Sequence, residues 1–290
     1  MEQTVGLIGL GLAGRALARR LLGQGWGVSG YDLAAAACAE ARAGGVTVAA
    51  SASALAREQS ALLLSLPDSD IVTRLLWDGG LADALPPGTL VLDTTTGRPQ
   101  DARDNAARLA EHQVRYVDVT LSGSSEDIAS GRATAMVGDR EEAADYAPLV
   151  TAFASRVIYL GAAGAGCLAK LVVNHIMGLN RAALAEGLAF GLAAGMDGDQ
   201  LLALIRDSAA YSRVADMKGE RMVRGDYAPA SKISQHAKDV RLILEAAQQA
   251  GLHLPLEQVH AELLARAIEL GLGDMDNAAI IEACRSQRGA

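Results

Sequence analysis

The sequence predicts an α/β fold: an N-terminal domain with a parallel-rich sheet, followed by an all-α C-terminal domain. Three observations predict it. Short apolar runs of strand length alternate with helical stretches through the first half. A glycine-rich turn joins the first such run to the first helical stretch. Beyond Gly161 the strand-like runs stop, and apolar residues keep a helical period toward the C-terminus.

In chain order, Thr4–Ile8 reads as a strand and Ala13–Gly23 as an amphipathic helix. Gly27–Tyr31 is a second strand, and Ala34–Ala43 an alanine-rich helix. Ala61–Leu66, Thr89–Asp93, Arg115–Val119, Ala133–Val137 and Arg156–Leu160 continue the strand pattern. From about Cys167 to Ala194 one long helix is expected, with further helices punctuated at Gly195, Gly225–Pro229, Gly251 and Gly271–Gly273. A chain of 290 residues accommodates two domains, placed at 1–163 and 164–290.

Composition narrows the function. Half the residues are hydrophobic and 21% are charged, enough apolar material for two cores. Aromatics are only 3%, so Ala, Leu, Val and Ile must build those cores. A net charge of −8 argues against nucleic acid or an anionic membrane as partner. Cys38, Cys167 and Cys284 are far apart and read as reduced thiols. The chain enters a strand at once, without a leader, so a cytoplasmic protein is expected. The five histidines make no metal-spaced set, and no metal is expected.

Gly9-Leu10-Gly11-Leu12-Ala13-Gly14 is G-x-G-x-x-G between a strand and a helix. Gly9 permits the turn, Gly11 lets backbone approach a pyrophosphate, and Gly14 allows close helix packing. The helix N-terminus offers free N–H groups to phosphate. Asp32 ends the second strand, 18 residues after Gly14, where a carboxylate binds ribose hydroxyls and repels a 2′-phosphate. This predicts a Rossmann domain that prefers NAD, with NADP second. The plainer reading makes Asp32 a helix N-cap. Ser65-Leu66-Pro67 forms either a loop near the cofactor ribose or an ordinary strand-ending turn.

At the substrate end, Ser122, Gly123 and Ser124 follow another strand. Their backbone N–H groups and hydroxyls suit a carboxylate, or they cap a helix starting near Ser125. Lys170 and Asn174 are four apart on the long apolar helix and share a face. Lys170 suits general acid catalysis at a carbonyl, or it snorkels to the surface.

Taken together, Gly6–Gly14, Asp93-Thr94-Thr95-Thr96, Asp118–Ser124, Gly164–Asn174 and Lys238-Asp239 resemble, in order, the motifs of the β-hydroxyacid dehydrogenases. That family includes 3-hydroxyisobutyrate dehydrogenase and glyoxylate/succinic semialdehyde reductase. The Lys170–Asn174 spacing and the Ile176-Met177-Gly178 run look most like the second of these. The resemblance implies hydride transfer between NAD(P) and a small hydroxy acid or its semialdehyde. It implies Lys170 as general acid/base, Asn174 orienting substrate, and Ser122, Gly123 and Ser124 holding its carboxylate. It puts Thr96 near the nicotinamide, Lys238 and Asp239 closing the site, and the chain in a homodimer or homotetramer.

Four positions depart from the family pattern. Thr120 stands for proline and is expected to loosen its loop. Ser124 stands for a second glycine and crowds the backbone. Ser231 stands where Phe is common and removes an aromatic wall. His175 follows Asn174 and reads as a packing residue before a substrate contact. The rivals are an imine reductase on the same fold, against which Lys170 speaks, and a non-catalytic dinucleotide sensor, which would not need Lys170 and Asn174.

Overall fold

The computed structural model describes residues 3–141 and 145–286. The chain forms two compact units, Met1–Lys170 and Leu171–Ala290. The division falls inside one continuous helix rather than at the glycine cluster before it.

In the first unit the strands are β1 (Thr4–Ile8), β2 (Gly27–Tyr31), β3 (Thr47–Val48), β4 (Ala61–Leu64), β5 (Leu90–Asp93), β6 (Arg115–Ser122), β7 (Ala133–Val137) and β8 (Ala154–Tyr159). The helices are α1 (Leu12–Gly23), α2 (Ala35–Ala43), α3 (Ala52–Arg57), α4 (Ser69–Leu76), α5 (Leu81–Ala84), α6 (Pro99–Glu111), α7 (Ser125–Ala129) and α8 (Ala147–Phe153). The sheet order is β3-β2-β1-β4-β5-β6-β7-β8. Pairing is parallel from β3 to β6, antiparallel at β6–β7, and parallel again at β7–β8. The two-residue β3 is too short to show a pattern in the sequence.

Both faces of the sheet are covered, which is why the central strands read as unbroken apolar runs rather than alternating ones. Leu7, Leu63, Leu92 and Val117 pack toward Leu17 and Leu21 of α1 and Phe153 of α8. Their neighbours Ile8, Leu62, Leu64 and Val91 pack toward Leu55, Leu76 and Leu109 of α3, α4 and α6. Each such leucine contributes on the order of 2 kcal/mol by burial. The order of the strands reverses between β1 and β4, the switch point beside which ligands of such sheets bind.

The long helix α9 runs from Ala165 to Ala193. The second unit continues with α10 (Gly198–Arg206), α11 (Glu220–Arg224), α12 (Ile233–Gln249), α13 (Pro255–Glu269) and α14 (Ile280–Arg285). Among the described residues it has no named strand. Leu188, Leu201, Met222, Val240, Leu264 and Ile281 form its core. Among the described residues no helix is long and apolar enough to cross a membrane.

Candidate active site

The glycine turn follows β1 at the switch point. Gly9 has φ +95°, and a Cβ there would strike the Ser65 carbonyl oxygen. A Cβ on Gly14 would strike the Gly9 carbonyl oxygen, so α1 packs on the turn backbone to backbone. Gly11 differs, because nothing lies within 4 Å of where its Cβ would be. The fold itself therefore makes no use of the missing side chain at Gly11, which leaves the turn open to a ligand. Leu10, Leu12 and Ala13 complete the turn, and Leu12 is 57% exposed.

Asp32 is tied to this turn. Its Oδ2 accepts from Leu10 N–H at 2.7 Å and its Oδ1 from Ala34 N–H at 2.8 Å. It thus ties the glycine turn to the segment before α2, whose N-cap is Ala34 rather than Asp32. Arg15, which reaches the same turn, is taken up by the Leu10 carbonyl at 3.0 Å and by Glu40 at 3.1 Å.

Two neighbouring loops are clamped to one another. Leu66 N–H donates to Thr95 Oγ1 at 3.1 Å, and Thr94 O–H donates to the Leu64 carbonyl at 2.7 Å. Thr95 is consumed in this clamp and buried, while Thr96 is half-buried and Pro67 exposed. Beneath them lies Asp93, which accepts from Thr95 N–H at 2.9 Å and Tyr116 O–H at 2.6 Å.

Burial pushes the Asp93 carboxyl up to about 6, against the pull of those hydrogen bonds. A folded value above the unfolded one means that the folded state holds the proton more tightly. This contribution to stability is present below about pH 4 and is lost as pH rises through about 6. Asp93→Asn removes the proton. Between those limits the Tm of the variant should gain on the parent's by the equivalent of about 3 kcal/mol. A Tm difference that stays constant with pH would show that Asp93 does not titrate there.

β6 carries the next group. Ser122 is half-buried at its end, and Gly123 has φ +146°, a conformation side chains disfavour. Ser124 is the N-cap of α7. Its hydroxyl accepts from Asp127 N–H at 3.1 Å, and its own N–H donates to Asp127 Oδ2 at 2.9 Å. The hydroxyl of Ser124 is therefore engaged locally, while Gly123 and Ser122 stay accessible. The bond from Ser124 N–H is the first cause holding the Asp127 carboxyl below the usual range.

Asp118, fully buried in mid-strand, explains how α9 is aimed. It accepts from Gly164 N–H and Cys167 N–H, both at 2.8 Å. Thr120 adds its hydroxyl to the Gly166 carbonyl at 2.7 Å. Far from loosening the loop, Thr120 ties β6 to the first turn of α9. Lys170 follows one turn later, half-buried. Burial and the nearby Asp118 push the Cys167 thiol well up, so it stays protonated.

In the second unit, Asn174 is 3% exposed and its Nδ2 donates to Asp239 Oδ2 at 3.0 Å. Its Oδ1 is buried without a partner, an acceptor waiting for a donor. Lys238 lies 3.0 Å from Asp239 Oδ1. His175 Nδ1 meets Glu257 at 2.8 Å, which makes it a packing residue of α9 against α13. Ser231 is exposed and donates its N–H to Asp276. Sequence reasoning missed the buried polar group around Arg181, His236, Glu257, His260 and Asp276. An arginine seven residues after Asn174, in an otherwise apolar helix, was the available signal.

Comparison with known proteins places the chain in a family. Residues 4–161 match the family described as the NAD binding domain of 6-phosphogluconate dehydrogenase. Residues 164–284 match the one described as the NAD-binding domain of NADP-dependent 3-hydroxyisobutyrate dehydrogenase. L-Threonate dehydrogenase of Cupriavidus necator is 33% identical over 97% of this chain and 96% of its own. Glyoxylate/succinic semialdehyde reductase 1 of Arabidopsis thaliana is 28% identical over 98% of this chain and 99% of its own. The structure of Mycobacterium tuberculosis 3-hydroxyisobutyrate dehydrogenase with L-serine superposes with a TM-score of 0.88. It has 28% identity and covers 98% of this chain and 100% of its own. The chain belongs to the 3-hydroxyisobutyrate dehydrogenase family of NAD(P)-dependent dehydrogenases.

Proposed function

We propose that this enzyme interconverts a small hydroxy acid and its aldehyde or semialdehyde, with Lys170 as general acid/base and NAD preferred over NADP. What supports the reading most is the first unit alone. It combines the open turn at Gly11 with a helix fastened by Asp118 and Thr120 to the strand that ends in Ser122 and Gly123. The Gly11 turn, the strand end at Ser122 and Gly123, and Lys170 all belong to the first unit.

The residues present fit a dinucleotide. Gly9–Gly14 would take the pyrophosphate, Asp32 the adenine ribose, and Leu66, Pro67 and Thr96 the segment toward the nicotinamide. When bound, the nicotinamide supplies or takes up the hydride. In reduction, Lys170 Nζ gives a proton to the carbonyl oxygen as the C–O double bond becomes single. In oxidation it takes the hydroxyl proton as that bond is remade. Backbone N–H groups at Ser122 and Gly123 hold the carboxylate.

The test is absorbance at 340 nm with NAD and NADP against hydroxy acids, and with NADH and NADPH against glyoxylate, succinic semialdehyde and a cyclic imine. Turnover of an acid or semialdehyde is expected; turnover of the imine alone would replace this reading. NADH should give the lower KM, because the Asp32 carboxylate opposes a 2′-phosphate and Arg15 is already paired. A lower KM for NADPH refutes the preference. Self-association through the helical unit fits Phe190 at 77% exposed and Leu256 at 67%. Light scattering should give a dimer or tetramer, and a monomer removes that part.

A further inference from the structure

Asp93 closes the apolar run Leu90-Val91-Leu92 of β5 and is 3% exposed. The charged group acting on it is a second acid, Asp118, its register partner on β6. Burial outweighs its hydrogen bonds and lifts the carboxyl to about 6. An ionised Asp93 at neutral pH is therefore a net cost to the fold. A buried acid kept at such a cost points to a use other than stability.

The direction of its hydrogen bonds shows what it holds. Oδ1 accepts from Thr95 N–H at 2.9 Å, an Asx turn that bends the chain as it leaves β5. The Thr95 hydroxyl bonds to the same carboxyl. Oδ2 accepts from Tyr116 O–H at 2.6 Å. Burial and the Asp93 charge push the Tyr116 phenol well up, so it remains a donor. With its proton directed at Asp93, the Thr95 oxygen is left to accept, and it accepts from Leu66 N–H at 3.1 Å. One carboxylate thus orients the loop after β5 directly and the loop after β4 through Thr95. The far ends of both loops are fastened separately. Arg98 N–H donates to Ser69 Oγ at 3.1 Å, and a Cβ on Gly97 would strike Ser69.

Strand order says what these loops face. β2 lies on one side of β1, and β4 and β5 lie on the other. A dinucleotide with its pyrophosphate at the glycine turn and its adenine ribose at Asp32 has one half over β1 and β2. The other half, ribose and nicotinamide, then extends over the carboxyl ends of β4 and β5.

We propose that Asp93, together with Tyr116, is a positioning residue for the nicotinamide half of the cofactor, its carboxylate holding the loops after β4 and β5 in the shape that receives it. The proposal rests on reading the glycine turn as the cofactor site. A protonated Asp93 carries a donor of its own, so one of the hydroxyls facing it must turn away and the loops loosen. The titratable groups that face it are Tyr116 and Asp118 of β6 and Cys167 of α9.

Calorimetric titration of the full chain with two probes tests this. ADP fills the adenine half of the site alone. NAD or NADP, whichever the parent binds more tightly, fills both halves. At pH 8 we expect the cofactor to bind about tenfold more weakly to Tyr116→Phe and to Asp93→Asn, with ADP affinity unchanged, the effect of one hydrogen bond to a charged group. Asp93→Asn separates positioning from folding, because its Tm should gain on the parent's as pH rises while its cofactor affinity stays low. In the parent, the ratio of cofactor to ADP affinity should fall as pH drops from 8 to 5.5; in Asp93→Asn it should stay flat. Equal losses for ADP and cofactor overturn the proposal and keep the cofactor site. So do unchanged affinities in both variants, or a parent ratio that ignores pH, which needs no variant to fold. A parent that binds neither probe overturns the cofactor site and this proposal together.

Discussion

Lys170→Ala is expected to lower kcat by about a thousandfold, with NADH binding unchanged. General acid–base catalysis by a positioned side chain contributes roughly two to four orders of magnitude, and no other lysine of the first unit is available, since Lys170 is the only one in residues 1–170. The substitution removes a half-buried side chain from the second turn of a helix whose start is held by Asp118 and Thr120. Those bonds are untouched, so folding should be preserved. Lys170→Arg should fail nearly as badly, because a guanidinium stays protonated and is a poor donor at neutral pH. Steady-state rates at 340 nm and a fluorescence titration with NADH separate the two effects. Near-parental kcat in Lys170→Ala sinks the proton-transfer role; loss of NADH binding instead assigns Lys170 to the cofactor.

Local signals carried most of the fold. The glycine turn, β1, α1 and β2 were legible because an unbroken apolar run gives way to a 3.6 period across G-x-G-x-x-G. α9 was legible because its apolar residues keep one period without a break. The antiparallel β7 was not separable from its neighbours, since a strand's direction leaves no trace in its own residues. Ser124 had two readings of equal standing from sequence, and its capping box with Asp127 was decided by geometry three residues away. Asp93 gave no hint of its raised affinity for a proton, because that depends on burial in the folded sheet and on the β5–β6 register that sets Asp118 beside it. The group around Arg181 was hidden for the same reason at longer range. Its members come from α9, α12, α13 and the segment before α14, and no spacing within one segment reveals them.

Gly11→Ala and Gly14→Ala should part company, and the difference identifies what the glycine turn is for. A Cβ on Gly14 meets the Gly9 carbonyl oxygen, a backbone atom that cannot swing aside. Gly14→Ala must push α1 off the turn, so both Tm and NADH affinity should fall, the Tm by several degrees. Gly11 sits at φ −66° and ψ −164°, a conformation alanine adopts without strain, and its Cβ would meet nothing within 4 Å. Its Tm should hold or rise slightly, since alanine restricts the unfolded chain more than glycine. Its NADH dissociation constant should nevertheless rise tenfold or more, by about 1.4 kcal/mol, because the methyl occupies the surface that a pyrophosphate approaches. Thermal melts and NADH titrations on the two variants decide the matter. Unchanged NADH affinity in Gly11→Ala would mean that the turn serves the fold alone, and the cofactor site would have to be sought elsewhere along the sheet edge.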